Sequence, residues 1–115
     1  MLKPLIFVGT SRDDIRGFGK SVSMAIGTEL LAVQMGYEPT DWKPMVTVGS
    51  GVREIRIHEG NEYRTIYIAK FSEAIYVLHS FVKKSRATAK KDIQIAKERF
   101  NYINQKRKKS SKKKK

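Results

Sequence analysis

The stretch from Val52 to Lys84 reads as three consecutive strands joined by two short turns, and the rest of the 115-residue chain has to be arranged around it. Runs rich in Ile, Val and Tyr are separated by Glu59-Gly60-Asn61-Glu62 and by Phe71-Ser72-Glu73-Ala74, both made of turn-forming residues. Gaps this short predict antiparallel hairpins, because parallel neighbours need a long crossover. The same strands carry Arg53, Arg56, His58, Arg64, Lys70 and His79, more cationic and imidazole groups than a sheet needs to close a core. The meander is therefore the centre of the core and the first place to look for a site.

Upstream, Leu5-Ile6-Phe7-Val8 is a short strand, apolar on both faces and so expected to be covered on both. Ser11-Arg12-Asp13-Asp14 supplies an N-cap and an acidic first turn for a brief helix, which Gly17-Phe18-Gly19 breaks. A longer helix follows from about Ser21 to Met35, with Val22, Ile26, Leu30 and Val33 on one stripe, and Gly36 ends it. The two form a hairpin fit to cover one sheet face. Residues 37–51 read as a loop with Trp42 lidding a core edge. Past the meander, Thr88 offers a cap for a last helix running to about Ile103, with Ile93, Ala96, Phe100 and Ile103 inward and Lys90, Lys91, Lys97 and Arg99 outward. The expected order is β-α-α-β-β-β-α, an α+β fold on a compact antiparallel sheet.

Charge divides the chain sharply. Residues 1–80 hold 9 Lys and Arg against 9 Asp and Glu, whereas residues 81–115 hold 15 against 2, which accounts for the whole net charge of +13. A basic exit strand, helix and tail point to a polyanion, with nucleic acid ahead of membrane because no amphipathic Trp/Phe/Leu face accompanies the charge. The last residues, Lys112 to Lys115, fit equally a solvated tail. The chain has no cysteine, which fits a reducing cytoplasm, and its one N-terminal apolar run is far too short for a signal peptide or a membrane span. The size is that of one domain, residues 1–104, followed by a lysine-rich tail, residues 105–115, expected to be disordered.

Strand alternation puts Glu54, Arg56 and His58 on one face and Ile55 and Ile57 on the other. Arg64 shares a face with Ile66, Ile68 and Lys70. His79 is expected beside Ile75, Val77 and Phe81 as a buried, hydrogen-bonded histidine. With a suitable register, Arg56, His58, Arg64 and the Lys83-Lys84 pair would converge. Several cations and an imidazole suit cleavage of RNA by its own 2′-hydroxyl, which needs a proton acceptor, a proton donor and stabilisation of charge on phosphorus. Such a reaction calls for no metal or cofactor. Two histidines on separate strands without a carboxylate cluster do not make a metal site, and no phosphate-binding glycine loop appears.

The segments V-G-S-G-V-R-E-I-R-I-H, E-Y-R-T-I-Y-I-A-K-F, I-Y-V-L-H-S-F-V-K-K-S and D-I-Q-I-A-K-E-R-F, with the opening K-P-L-I-F-V-G-T-S-R-D-D-I-R and W-K-P-M, resemble the phage-derived branch of the RelE/ParE toxin superfamily. This is the HigB-like group of type II toxin–antitoxin systems. The resemblance covers about residues 3–103 and implies a RelE-like fold. It implies a ribosome-dependent mRNA endoribonuclease that inhibits translation, neutralised by a cognate helix-turn-helix antitoxin, with ribosome and mRNA as its other partners. Carried over by position, Arg64 would brace the phosphate, Arg56 and His58 would be the cationic positions of the preceding strand, and Lys83 or Lys84 would act on the transition-state charge. The family often places a Tyr or His near the C-terminus for proton transfer. The turn S-R-A-T-A-K-K has neither, leaving His58 as the general base or acid, with Lys90 or Lys91 as further choices. Arg53, Lys90, Lys91 and Lys97 are the expected RNA-binding residues. ParE-type relatives share the fold, lack the ribonuclease set and inhibit DNA gyrase, so a gyrase-directed toxin or a non-catalytic nucleic-acid binder stands as the alternative.

Overall fold

The computed structural model describes residues 2–113, with side chains through residue 110. Strand β1 (Leu5–Phe7) leads into helices α1 (Ser11–Gly17) and α2 (Lys20–Gln34). Strands β2 (Trp42–Pro44), β3 (Val52–Glu59), β4 (Asn61–Ile68) and β5 (Ile75–Lys83) follow, and helix α3 (Lys90–Lys113) closes the chain. The five strands form one sheet in the order β1-β5-β4-β3-β2. The meander β3-β4-β5 is antiparallel, as its short turns require.

Two features of the sheet depart from expectation. The segment read as a loop contains β2, which pairs antiparallel with β3 through Trp42 opposite Ile55 and Pro44 opposite Arg53. A proline there is tolerated because β2 is an edge strand. The sheet is also mixed, since β1 lies parallel to β5, with Leu5 opposite Ile75 and Phe7 opposite Val77. The intervening α1–α2 hairpin and meander give these two strands the long connection that parallel neighbours need. The architecture is α+β and consistent with a RelE-like fold.

Each sheet face carries its own core. Ile15, Val22, Ile26, Leu30 and Val33 of the helical hairpin pack on Ile55, Tyr63, Tyr67, Ile75 and Val77. Ser11, expected as a cap, is instead the first helical residue, and its buried hydroxyl donates to Val77 O at 3.1 Å, pinning α1 to β5. On the other face Ala96 and Ile103 of α3, with Ile93 and Phe100, pack on Val52, Ile66, Ile68, Tyr76, Leu78 and Phe81. Helix α3 does not stop near Ile103. No glycine or proline follows, cations near a helix C-terminus are favourable, and the stretch expected to be a disordered tail is helical to Lys113. Lys114 and Lys115 lie outside the described residues. Arg107 fastens this part of α3, with its Nε donating to Glu73 Oε2 at 2.7 Å and its guanidinium 3.6 Å above the Phe71 ring. Among the described residues no helix is long and apolar enough to cross a membrane.

One irregularity sets the direction of the side chains that matter most. Ile66 lies opposite His79 but Tyr67 lies opposite Val77, so Leu78 is an extra residue in β5. A bulge of this kind turns successive side chains to the same face. Ile75 and Val77 therefore face the hairpin while Leu78, His79 and Phe81 face α3, so His79 does not share a face with Ile75 and Val77 as simple alternation predicts. The Leu78 carbonyl accepts from Arg99 Nη1 at 2.9 Å, and Arg99 Nη2 reaches Thr10 Oγ1 at 3.1 Å. Arg99 is thus a tie between α3 and the sheet rather than a solvent-facing charge. Gly9 makes room for it, since a Cβ there would sit 2.5 Å from Arg99 Nε.

Candidate active site

On the α3 face, the register places Arg56 opposite Arg64, His58 opposite Glu62, and Glu62 opposite Lys83. Glu54, Arg56, His58, Glu62, Arg64 and Lys83 therefore lie together, so of the expected set of Arg56, His58, Arg64 and the Lys83-Lys84 pair all meet on this face but Lys84, which follows the end of β5. Their states differ from expectation. Arg64 is only 2% exposed. Its Nη1 donates to Tyr63 O at 2.9 Å, its Nη2 to Glu62 Oε1 at 3.1 Å, and its Nε lies 3.6 Å from Glu54 Oε1. The guanidinium is engaged by the protein's own carboxylates, so the geometry gives it an organising role rather than a free hand for a phosphate. Glu54 is buried, and desolvation raises its carboxyl above the ordinary range against the opposing pull of Arg64, Arg56 and Lys83. Half-buried Arg56 sits 3.9 Å from Asp41.

His58 is exposed but fully occupied. Its Nε2 is 2.6 Å from Asp41 Oδ2 and its Nδ1 is 2.7 Å from Glu62 Oε1. These two carboxylates, Asp41 first, raise its pKa and favour the imidazolium, while His58 and Arg64 lower that of Glu62. A ring with both nitrogens held by anions is poorly placed to accept a proton, and the assignment of His58 as general base or acid loses its geometric support.

Beyond this cluster, where β5 ends and α3 begins, a cavity of about 270 Å³ is lined by Phe81, Lys83, Lys84, Lys91 and Asp92 among others. Lys83 belongs to both sets, opposite Glu62 in the sheet and on the cavity wall. Asp92, in the first turn of α3, accepts a hydrogen bond at Oδ1 from His79 Nε2 at 2.8 Å. His79 is 6% exposed, stacks on Phe81 with ring centroids 5.1 Å apart, and has no hydrogen-bond partner for Nδ1 among the described residues. Its expected buried, hydrogen-bonded state is what the structure shows. Sequence reasoning passed over its partner, although a signal existed, because Asp92 and Glu98 are the two acidic residues in an otherwise cationic stretch from 81 to 115.

The expected RNA-binding residues divide. Lys91 lines the cavity. Lys90, the first residue of α3, and Lys97, further along it, are exposed. Arg53 does not join them, since alternation turns it to the opposite face, where it stacks 4.1 Å from the Trp42 ring centroid and pairs with Glu38 at 3.7 Å. Among the described residues no group of three or more His, Asp or Glu side chains is placed to hold a metal ion. Three lysines and one aspartate line this small cavity, a set that suits binding and reaction at a phosphodiester.

A comparison with curated proteins finds no match. A family model described as phage-derived protein Gp49-like (DUF891) matches residues 13–101, a span that takes in α2, the whole meander, the cavity and the first half of α3. With most of its length matched, the chain belongs to the Gp49-like family of phage-derived, toxin-like proteins.

Proposed function

We propose that the protein is the toxin of a type II toxin–antitoxin pair within the RelE/ParE superfamily and its HigB-like branch, an endoribonuclease that cuts mRNA on the ribosome. The observation that carries this reading is the cavity at the β5–α3 junction, where Lys83, Lys84 and Lys91 line a space large enough to take a phosphodiester. Three ammonium groups there would hold the scissile phosphate and offset the charge that develops on its oxygens. The buried Arg64 and Glu54 pair across β4 and β3, the strand that carries Arg56, and β4 in turn lies beside the β5 strand of Lys83. Exposed Lys90 and Lys97, with the basic C-terminal part of α3, would track the phosphate backbone of RNA on the ribosome. A helix-turn-helix antitoxin encoded beside the toxin would neutralise it.

The test is induction in a growing culture with pulse labelling of protein and DNA synthesis, and cleavage of mRNA on programmed ribosomes by the purified protein. Protein synthesis should stop first. Lys84→Ala with Lys91→Ala, expressed at equal level, should relieve the arrest and weaken cleavage. DNA synthesis stopping first would instead identify a gyrase-directed toxin, and an unrelieved arrest would remove the cavity from the mechanism.

A further inference from the structure

We infer that Asp92 is the proton acceptor of RNA cleavage and that His79 is the residue that positions it. This rests on the ribonuclease reading and names the group that reading lacks. His58 is enclosed by Asp41 and Glu62, and the lysines of the cavity are donors. Among the described residues Asp92 is the one carboxylate on the cavity wall. It is held from behind, where His79 Nε2–H donates to Oδ1 at 2.8 Å. The imidazole itself is fixed by stacking on Phe81, whose ring also lines the cavity. A proton on Nε2 leaves Nδ1 as a lone pair, which agrees with that atom being buried without a partner among the described residues. The carboxylate is thereby oriented, with Oδ2 left to meet a substrate hydroxyl, in the manner of a base that is itself oriented by a third group.

The step balances without a co-reactant. Asp92 takes the proton of the ribose 2′-hydroxyl, and O2′ bonds to phosphorus. The bond from phosphorus to the 5′-oxygen breaks with its electron pair going to that oxygen, which takes a proton from a lysine ammonium on the cavity wall. The products are a 2′,3′-cyclic phosphate and a 5′-hydroxyl, and Asp92 returns its proton to solvent as the lysine regains one. The lysines stabilise the charge on the phosphoryl oxygens throughout.

The experiment compares single-turnover cleavage of mRNA on programmed ribosomes by wild type, Asp92→Asn, His79→Gln and His79→Ala, alongside RNA affinity and melting temperature. Asp92→Asn keeps an oxygen for His79 but cannot take a proton, so cleavage should fall about 10²- to 10⁴-fold, the usual contribution of a general base, with RNA affinity retained. His79→Gln offers an amide N–H near the position of Nε2 and should keep most of the rate. His79→Ala should lose at least about tenfold in the single-turnover rate with little change in RNA affinity, as expected for a group acting through another. Wild-type cleavage by Asp92→Asn would overturn the assignment of the base while leaving the ribonuclease reading intact. Equal single-turnover rates in His79→Ala and wild type would overturn the positioning role independently. A wild-type protein that cuts no RNA under these conditions would overturn the ribonuclease reading and this inference together.

Discussion

Arg64 Nε lies 3.6 Å from Glu54 Oε1 in the interior of the α3 face, with both side chains buried. The distance makes an ion pair without a hydrogen bond between these atoms, and Glu54 Oε2 is likewise unpartnered among the described residues. Removing one member of a buried pair leaves the other charge uncompensated, which costs about 3–5 kcal/mol. Arg64→Ala should therefore lower stability by about that much in urea unfolding, and the double substitution Glu54→Leu with Arg64→Met should recover a large part of it. Loss of toxicity in Arg64→Ala would then report unfolding rather than a missing phosphate contact. An Arg64→Ala protein within about 1 kcal/mol of wild type would show the pair to be dispensable.

The clamp on His58 should make stability depend on pH in a defined direction. Asp41 and Glu62 raise the folded-state pKa of His58 above that of the unfolded chain. The stabilisation is complete below the unfolded value, near 6.5, and is lost as pH rises through the folded value. Glu62 is shifted the other way, so its share is present above the ordinary carboxylate range and lost as pH falls through its lowered value. The difference in melting temperature between wild type and His58→Gln should be largest near pH 6 and shrink toward pH 9. Because His58 is about half exposed, added salt should also reduce the difference. A gap that grows with pH would contradict the clamp.

Gly9 should tolerate no side chain. Its φ is +58°, a region that L residues rarely adopt, and a Cβ would sit 2.5 Å from Arg99 Nε. Gly9→Ala should cost about 1–3 kcal/mol and loosen α3, seen as faster amide exchange in that helix with the β3–β4 hairpin less affected. Arg99→Met should show the same regional pattern, because it also removes the donor to the Leu78 carbonyl. Uniform exchange across the whole molecule would argue that α3 is not separately tethered.

The parts of this fold written in local periodicity and turn chemistry were legible in the sequence. The three meander strands, the stripe Val22-Ile26-Leu30-Val33 and the inward face Ile93-Ala96-Phe100-Ile103 all appear where their spacing puts them. What was not legible depended on pairing between distant segments. Three residues with a proline at the end, Trp42 to Pro44, carry no strand pattern and become β2 only because β3 offers them an edge. Leu78 looks like any alternating residue until β4 is laid beside it. In the site, alternation and register brought Arg56, His58, Arg64 and Lys83 together, without the Lys84 that was read with them. It could not show that Glu54, Glu62 and Asp41 would occupy those cations first, nor that Asp92 would meet His79 across thirteen positions.

The extra residue in β5 also governs how relatives ought to be lined up. Counting from Ile75, each residue before Leu78 and each after it follows opposite parity, so a homologue that lacks this extra residue would bring its histidine to α3 by plain alternation, three positions after the isoleucine instead of four. An alignment that slides a gap through this strand to maximise identity would equate residues that look the same on paper and stand on opposite sides of the sheet.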